Sequence, residues 1–301
     1  MKGRLLIISA LVGLAACSGP RAQLDHARDL TFHSQFRSAA AQYQSLLVEL
    51  GRDESPQAQA LRAAALSELG QLEALRLNDP EGAVQCYHKL AERYPERPEA
   101  FDARVQLADL LAHRFNDPRG ALVQLAALVQ SFPNHTDTDR YQYQLAKGYF
   151  ALGDYAQTET EARLLLAHYP GSVEKIDTRM LLASSLALQG HRAEAIKLYQ
   201  QVVALGPGAD ASRAHLEIGR LYEGEGDLPR AEVALAKALP DSPNPGVVKV
   251  ALSRVKRRAA LRQAVDIHDR AAIFDHKASQ RVVATAAPAA PATASRAVPK
   301  T

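Results

Sequence analysis

The chain has 301 residues, of which 47% are hydrophobic and 23% charged, with 36 Lys and Arg residues against 33 Asp and Glu residues. This composition is that of an ordinary folded protein and excludes a chain that is disordered throughout. The formal net charge of +3 is too small to indicate a nucleic-acid partner, and two cysteines can form neither a disulfide framework nor a four-thiolate metal site.

The first sixteen residues are typical of an export signal. A short basic start precedes an apolar run over residues 5–16, which is shorter than the about 20 residues needed to span a bilayer. Leu14-Ala15-Ala16-Cys17 resembles the lipobox of bacterial lipoproteins. The resemblance implies cleavage of residues 1–16, a diacylglyceryl group on Cys17 and an acyl chain such as palmitate on its amino group. Because Ser18 follows the cysteine rather than Asp, we expect the periplasmic face of the outer membrane of a Gram-negative bacterium.

A repeat with a spacing of 36 to 38 residues follows, and its clearest markers are Pro95, Pro133, Pro170, Pro207 and Pro243. An alanine, or in one unit a threonine, stands twelve positions before each proline. The apolar residues within each unit have helical spacing, with no alternating stretch typical of a strand. The glycine in the middle of a unit, replaced by Asn78 or Asn116 in two of them, is suited to end one helix before the next begins. The pattern predicts pairs of amphipathic helices stacked as an all-α solenoid.

The best-defined units resemble a known repeat family. The unit near Asp139 carries Leu145-Ala146, Tyr149, Gly153 and Pro170, and the next carries Leu182-Ala183, Gly190, Ala195, Tyr199 and Pro207. They resemble the tetratricopeptide repeat (TPR), although Thr158 stands where that family has Ala, and Leu186 where it has Tyr. The resemblance implies a TPR-type α-solenoid of about six helix pairs over residues 21–245, joined to the lipid by residues 17–20.

After the solenoid we expect a terminal element and a tail. Residues 246–283 lack helix-breaking residues and predict a basic helix that covers the last repeat, as the ends of a solenoid require. The side chains expected to cover it are Val247, Val250, Ala251, Val255 and Leu261. The Ala- and Pro-rich residues 284–301 are expected to be disordered.

The sequence contains no motif for a catalytic centre or metal site, and we expect neither, nor any cofactor besides the covalent lipid. In TPR proteins the first helix of each repeat lines a groove that binds protein partners. The resemblance implies such a groove here, lined by Gln106, Leu110, His113, Arg140, Tyr143, Lys147, Phe150, Met180, Ser184, Leu216 and Arg220. The aromatic rings of Tyr143 and Phe150 beside the cations Arg140 and Lys147 indicate a peptide-binding patch. Packing of these rings against neighbouring repeats is the alternative.

These features predict a non-enzymatic scaffold or adaptor that binds other envelope proteins. Such proteins help to assemble outer-membrane machines for β-barrel insertion, pilus or secretin assembly, secretion or motility. A second interpretation stays open, because residues 246–301 carry eleven Lys and Arg residues against three Asp residues. This basic region could bind peptidoglycan or anionic lipid, or it could be the solvated face of the terminal helix. Its candidate residues are Lys249, Arg254, Lys256, Arg257, Arg258 and Arg262.

Overall fold

The computed structural model describes residues 19–285, and the side chains among them as far as residue 265 and at residue 267. This part of the chain holds thirteen α-helices and no strand. The expected lipid site at Cys17, the signal peptide and residues 286–301 of the expected tail lie outside the described residues. Between residues 19 and 285, no helix has both the length and the apolar character needed to cross a membrane.

Twelve of the helices form six consecutive pairs, and a thirteenth follows them, so the predicted all-α fold of about six helix pairs with a terminal helix is confirmed. The first three pairs are α1 (Pro20–Phe32) with α2 (Phe36–Leu50), α3 (Pro56–Leu72) with α4 (Pro80–Arg93), and α5 (Pro98–His113) with α6 (Pro118–Ser131). The next three are α7 (Thr138–Ala151) with α8 (Tyr155–His168), α9 (Lys175–Leu188) with α10 (Arg192–Val203), and α11 (Ala209–Glu225) with α12 (Leu228–Ala238). The terminal helix is α13 (Pro245–Thr285), and a π-helical turn, Glu73–Leu77, extends α3.

The turn inside a pair is set by local chemistry. In four pairs the second helix begins after an aspartate whose carboxylate accepts a hydrogen bond from a backbone N–H in the first turn, at 2.9 to 3.1 Å. These residues are Asp79, Asp117, Asp154 and Asp227. The residue before each aspartate has positive φ, which is 53° at Asn78 and 52° at Asn116. Glycine and asparagine tolerate this conformation best, which is why either residue occurs at this point of the repeat.

The chain divides into two compact units, one ending at Ala195 and one beginning at Ile196, so that the boundary falls within α10. In the first unit, Tyr43, Leu46 and Leu90 are among the large side chains that are fully buried. In the second unit, α11, α12 and the beginning of α13 enclose a core that contains Leu235 and Val255. Each unit therefore has its own hydrophobic core.

Small residues permit close packing of the two helices in a pair. In the last pair, a Cβ atom added at Gly219 would lie 2.7 Å from Cγ of Leu235 and 3.3 Å from the carbonyl oxygen of Ala231. Leu235 and Ala231 are both fully buried. A side chain at position 219 would therefore force α11 and α12 apart, which explains the glycine at this point of the repeat.

The terminal helix packs through a different face from the one predicted. Val248, Ala251 and Val255 are buried, whereas Val247, Val250 and Leu261 are exposed. Ala251 and Val255 were predicted correctly, and the other three expected contacts were wrong. Buried positions three and four residues apart define one stripe along a helix, and the three exposed residues lie outside it.

Candidate functional site

A cleft on the first unit contains part of the predicted groove. It has a volume of about 640 Å³ and lies between the first helices of two successive pairs, α5 and α7, with α6 beneath it; we call it the α5–α7 cleft. Its floor is apolar and includes Ala108, Ala121, Leu122 and Leu125. A Cβ atom added at Gly148 would lie 2.3 Å from Cδ2 of Leu122, so the glycine leaves space for the leucine of the floor. The absence of a side chain at Gly148 thus allows α7 to lie close to α6 at the floor of the cleft.

The rim of the α5–α7 cleft carries His113, Arg140 and Lys147. Nε2 of His113 lies 3.6 Å from Oδ1 of Asp109, one helical turn earlier on α5. Arg140 and Lys147 form no ion pair within the described residues, and the Arg140 guanidinium carbon lies 5.9 Å from the centre of the Tyr141 ring. Partial burial raises the pKa of Tyr141, so its hydroxyl stays protonated and available as a donor. An apolar floor beside two unpaired cations is suited to a peptide that carries both apolar and acidic side chains.

The predicted groove residues do not all meet in this cleft. His113, Arg140 and Lys147 line it, whereas Tyr143 and Phe150 do not, and the aromatic residue that lines it is Tyr141. Phe150 instead packs edge-to-face with Tyr155, with ring centres 5.5 Å apart. The spacing along the sequence predicted that Tyr143 lies on the same face of α7 as Arg140 and Lys147. In the structure it is Tyr141 that faces α5 and α6. The presence of Ala108, Ala112 and Gly148 on the facing helices was the sequence signal for the cleft.

The other predicted groove residues fall into three groups. Leu110 and Met180 are buried, so the expectation that they line an exposed groove was wrong; Leu110 belongs to the core of the first unit. Gln106 is exposed on α5, and Ser184 donates a hydrogen bond from its hydroxyl to the Met180 carbonyl at 2.9 Å. In the second unit Leu216 packs against the terminal core, and Arg220 lines a smaller cleft of about 440 Å³ with Val247 and Val250.

The predicted basic surface is largely engaged within the chain. Arg254 donates two hydrogen bonds to the Glu223 carboxylate, at 2.7 and 2.6 Å, and Arg258 donates a third at 3.0 Å. Lys256 lies 3.6 Å from Glu232, and Arg262 donates to the carbonyl of Gly226 at 2.9 Å. Only Lys249 and Arg257, among the six candidates, have no such partner in the described residues. Four of the six candidate residues therefore form contacts that attach α13 to the last repeat.

Comparison with known proteins identifies the repeats. A family model described as tetratricopeptide repeat matches residues 72–136 and 180–245. The C-terminal part of a TPR repeat-containing protein from Cytophaga hutchinsonii is similar in structure, with 17% identity, a TM-score of 0.54, and coverage of 79% of this chain and 89% of that one. The apo form of RapI has 12% identity and a TM-score of 0.50, with coverage of 85% of this chain and 76% of that one. No curated protein matches the chain.

Residues 72–136 and 180–245 therefore match the tetratricopeptide repeat, and the fold is an all-α TPR-type solenoid. Proteins built from these repeats generally act as scaffolds for protein–protein interaction, and they are generally not enzymes. Within the described residues, no group of three or more His, Cys, Asp and Glu side chains is arranged to hold a metal ion.

Proposed function

We propose that this protein is a non-enzymatic adaptor that binds other cell-envelope proteins through the α5–α7 cleft. The observation that carries the proposal is the combination in one cleft of an apolar floor with two cations, Arg140 and Lys147, that have no ion-pair partner in the described residues. A partner segment with a bulky apolar side chain would bury that side chain against Leu122 and Leu125. Carboxylates on either side of it would pair with the two cations.

The size of the cleft supports a peptide ligand. A volume of about 640 Å³ accommodates a few side chains of a partner. An extended or helical segment of a partner can lie in such a cleft and leave most of its own surface free for other contacts. This arrangement suits an adaptor that holds one component of an outer-membrane assembly while the rest of the chain remains accessible.

We also propose that the protein is anchored to the periplasmic face of the outer membrane by lipid on Cys17. The support for this is the sequence Leu14-Ala15-Ala16-Cys17 after a short apolar run. Helix α1 begins at Pro20, and three residues extend over at most about 10 Å. The beginning of α1 would then lie close to the membrane surface.

The binding proposal is tested by photocrosslinking in living cells. A photoreactive residue replaces Gln144, which lines the cleft, and in a second strain it replaces Thr160, an exposed residue of α8 outside the cleft. We expect position 144, and not position 160, to give an adduct with an envelope protein. We expect the double variant Arg140→Glu/Lys147→Glu to remove the adduct. Equal adducts from both positions, or an adduct insensitive to charge reversal, would contradict the proposal.

The anchoring proposal is tested separately. Mass spectrometry of the N-terminal peptide should detect acyl chains on Cys17, and Cys17→Ser should move the protein from the membrane fraction to the soluble fraction. An unmodified Cys17 in a membrane-bound protein would refute lipid anchoring without affecting the binding proposal.

A further inference from the structure

A second cleft lies on the second unit, between different helices. It has a volume of about 480 Å³ and is lined by α10, α11 and α12; we call it the α10–α12 cleft. Two of these, α10 and α12, are the second helices of their pairs, whereas the α5–α7 cleft lies between two first helices. The α10–α12 cleft therefore lies mainly between second helices, whereas the predicted groove is lined by first helices.

The floor of the α10–α12 cleft is apolar and open to solvent. Val203, Ile218 and Ala234 form part of it, and Val233, which is 56% exposed, forms one wall. A valine left half in water at the edge of a concave apolar surface contributes little to folding. It is well placed to be covered when a partner binds.

The charged side chains at this cleft are all basic. His215, Arg230 and Lys237 line it, and none of the acidic residues whose side chains the structure describes does. Lys197 is exposed on α10, one helical turn before Gln200, another lining residue. Neither Lys197 nor Lys237 forms an ion pair within the described residues.

Most of the acidic side chains described in the second unit form ion pairs with other residues. Five of them pair with an arginine or a lysine that lies outside the cleft or, in the case of Arg230, at its edge. These are Asp210, Glu217, Asp227, Glu223 and Glu232. Burial, and secondarily the charge of Lys237, lower the pKa of His215 and so favour its neutral form. Arg230 pairs with Asp227 at 3.4 Å, whereas Lys237 has no ion-pair partner in the described residues, so its charge is left uncompensated there.

We propose that the α10–α12 cleft is a second docking site, which binds an acidic segment of a partner protein that also carries a bulky apolar side chain. The apolar side chain lies against Val203, Ile218 and Val233, and a carboxylate pairs with Lys237. The site goes beyond the proposed function, because it lies on another unit and between other helices than the α5–α7 cleft. An adaptor with two such sites could hold two envelope proteins, or two segments of one, at the same time.

The shape and charge of the cleft favour a peptide over other anionic ligands. A concave cleft with its apolar residues at the floor cannot lie flat on a lipid surface. Nucleic acid requires a longer basic stripe that follows a phosphate backbone, and here the cations surround an apolar floor. A short peptide places an apolar side chain and a carboxylate within a few ångströms of each other, which matches the distribution of groups in the cleft.

The test measures binding of fluorescent peptides to the chain without residues 1–17 by anisotropy. Three peptides of equal length serve as probes: one alternates Glu and Leu, one alternates Lys and Leu, and one alternates Glu and Ser. We expect only the Glu–Leu peptide to bind strongly. Because Val233 and Lys237 are both exposed, the variants Val233→Asp and Lys237→Glu should fold normally, which circular dichroism checks.

Binding is measured in the Arg140→Glu/Lys147→Glu background, which removes the cations of the α5–α7 cleft. In that background each variant should weaken binding of the Glu–Leu peptide about tenfold, which corresponds to about 1.4 kcal/mol. The matched control is Lys249→Glu, which reverses an exposed and unpaired cation on α13 outside the cleft. The proposal is overturned if Lys237→Glu has no effect, if Lys249→Glu weakens binding equally, or if the Lys–Leu peptide binds as well. It is also overturned if Arg140→Glu/Lys147→Glu by itself removes all binding, because the peptide then occupies only the α5–α7 cleft.

Discussion

Glu223 attaches the terminal helix to the last repeat, and its removal gives the sharpest prediction. Its side chain is 9% exposed and accepts three hydrogen bonds from two arginines of α13, whose side chains are 46% and 49% exposed. A hydrogen bond to a buried charge contributes about 1.5–3 kcal/mol, and an exposed ion pair about 0.2–1 kcal/mol. Since the carboxylate is buried but its partners are half in water, we expect Glu223→Gln to cost about 1–2 kcal/mol.

Because α13, as far as the structure describes it, contacts only the last pair, this loss should appear as local opening rather than global unfolding. Hydrogen exchange measured by mass spectrometry should show a 5- to 30-fold loss of protection, roughly, in residues 245–262, and no change in α1 to α9. The control is Arg257→Gln, which removes an exposed cation of α13 without an ion pair in the described residues. Unchanged exchange in Glu223→Gln, or an equal loss in Arg257→Gln, would refute the role of Glu223.

The pH dependence of this effect has a defined sign. Hydrogen bonds from Arg254 and Arg258, with their charges, hold the pKa of Glu223 below its ordinary value of 4.5, despite some opposing effect of burial. A carboxyl whose pKa is lower in the folded protein stabilises the fold above the unfolded pKa, and that contribution is lost as the pH falls further. The difference between wild type and Glu223→Gln should therefore be complete at pH 7 and should diminish below about pH 4.5. A difference that grows on acidification would contradict this explanation.

Three further predictions concern other parts of the chain. Gly219→Ala should be about 1–3 kcal/mol less stable in thermal unfolding than Gly224→Ala, because a Cβ atom at 219 meets Leu235 and one at 224 meets nothing within 4 Å. Equal stabilities would exclude a close helix contact at Gly219. Burial, and to a smaller extent Asp79, raise the pKa of Glu73, so wild type loses stability as the pH rises through that pKa. Glu73→Gln should therefore be more stable than wild type in urea at pH 7 and lose that advantage near pH 4. An advantage independent of pH would contradict this. Burial raises the pKa of the Cys86 thiol, which donates a hydrogen bond to the Glu73 carboxylate at 3.3 Å. In a chain without residues 1–17, Cys86 should therefore react with iodoacetamide at pH 8 only after denaturation. Fast alkylation of the native protein would show that the thiol is accessible.

The repeat could be recognised from the sequence because its signals are local. A proline, an aspartate cap or a residue that tolerates positive φ acts on the few residues around it, so the helix pairs follow directly from spacing. Asn78 and Asn116 were correctly interpreted as substitutes for the turn glycine. The π-helical turn Glu73–Leu77 after α3 was not predicted, because the spacing of the repeat carries no signal for it.

The candidate site was only partly predictable, because it depends on helix rotation. A change of two residues moves a side chain by about 200° around a helix, so the exchange of Tyr143 for Tyr141 in the cleft follows from how α7 packs on α5 and α6. Arg140, Lys147 and His113, which the family spacing selected, line one cleft in the structure. It could not show that Leu110 and Met180 are buried, since burial depends on the neighbouring helices.

The sequence by itself determined the helix pairs and their caps, and it predicts the lipid anchor, since each of these depends on residues within a few positions of one another. The tertiary structure decided which charges remain available for a partner. Counted along the chain, the C-terminal region is strongly basic, but Glu223 lies 31 residues before Arg254 and reaches it only after α11 and α13 have packed together. Conversely, nothing in the sequence pattern distinguishes Lys237, which is left without an ion pair at the edge of an apolar cleft in the described structure. Long-range packing, which spacing along the chain does not encode, therefore separates the cations that hold the fold together from those that can bind another protein.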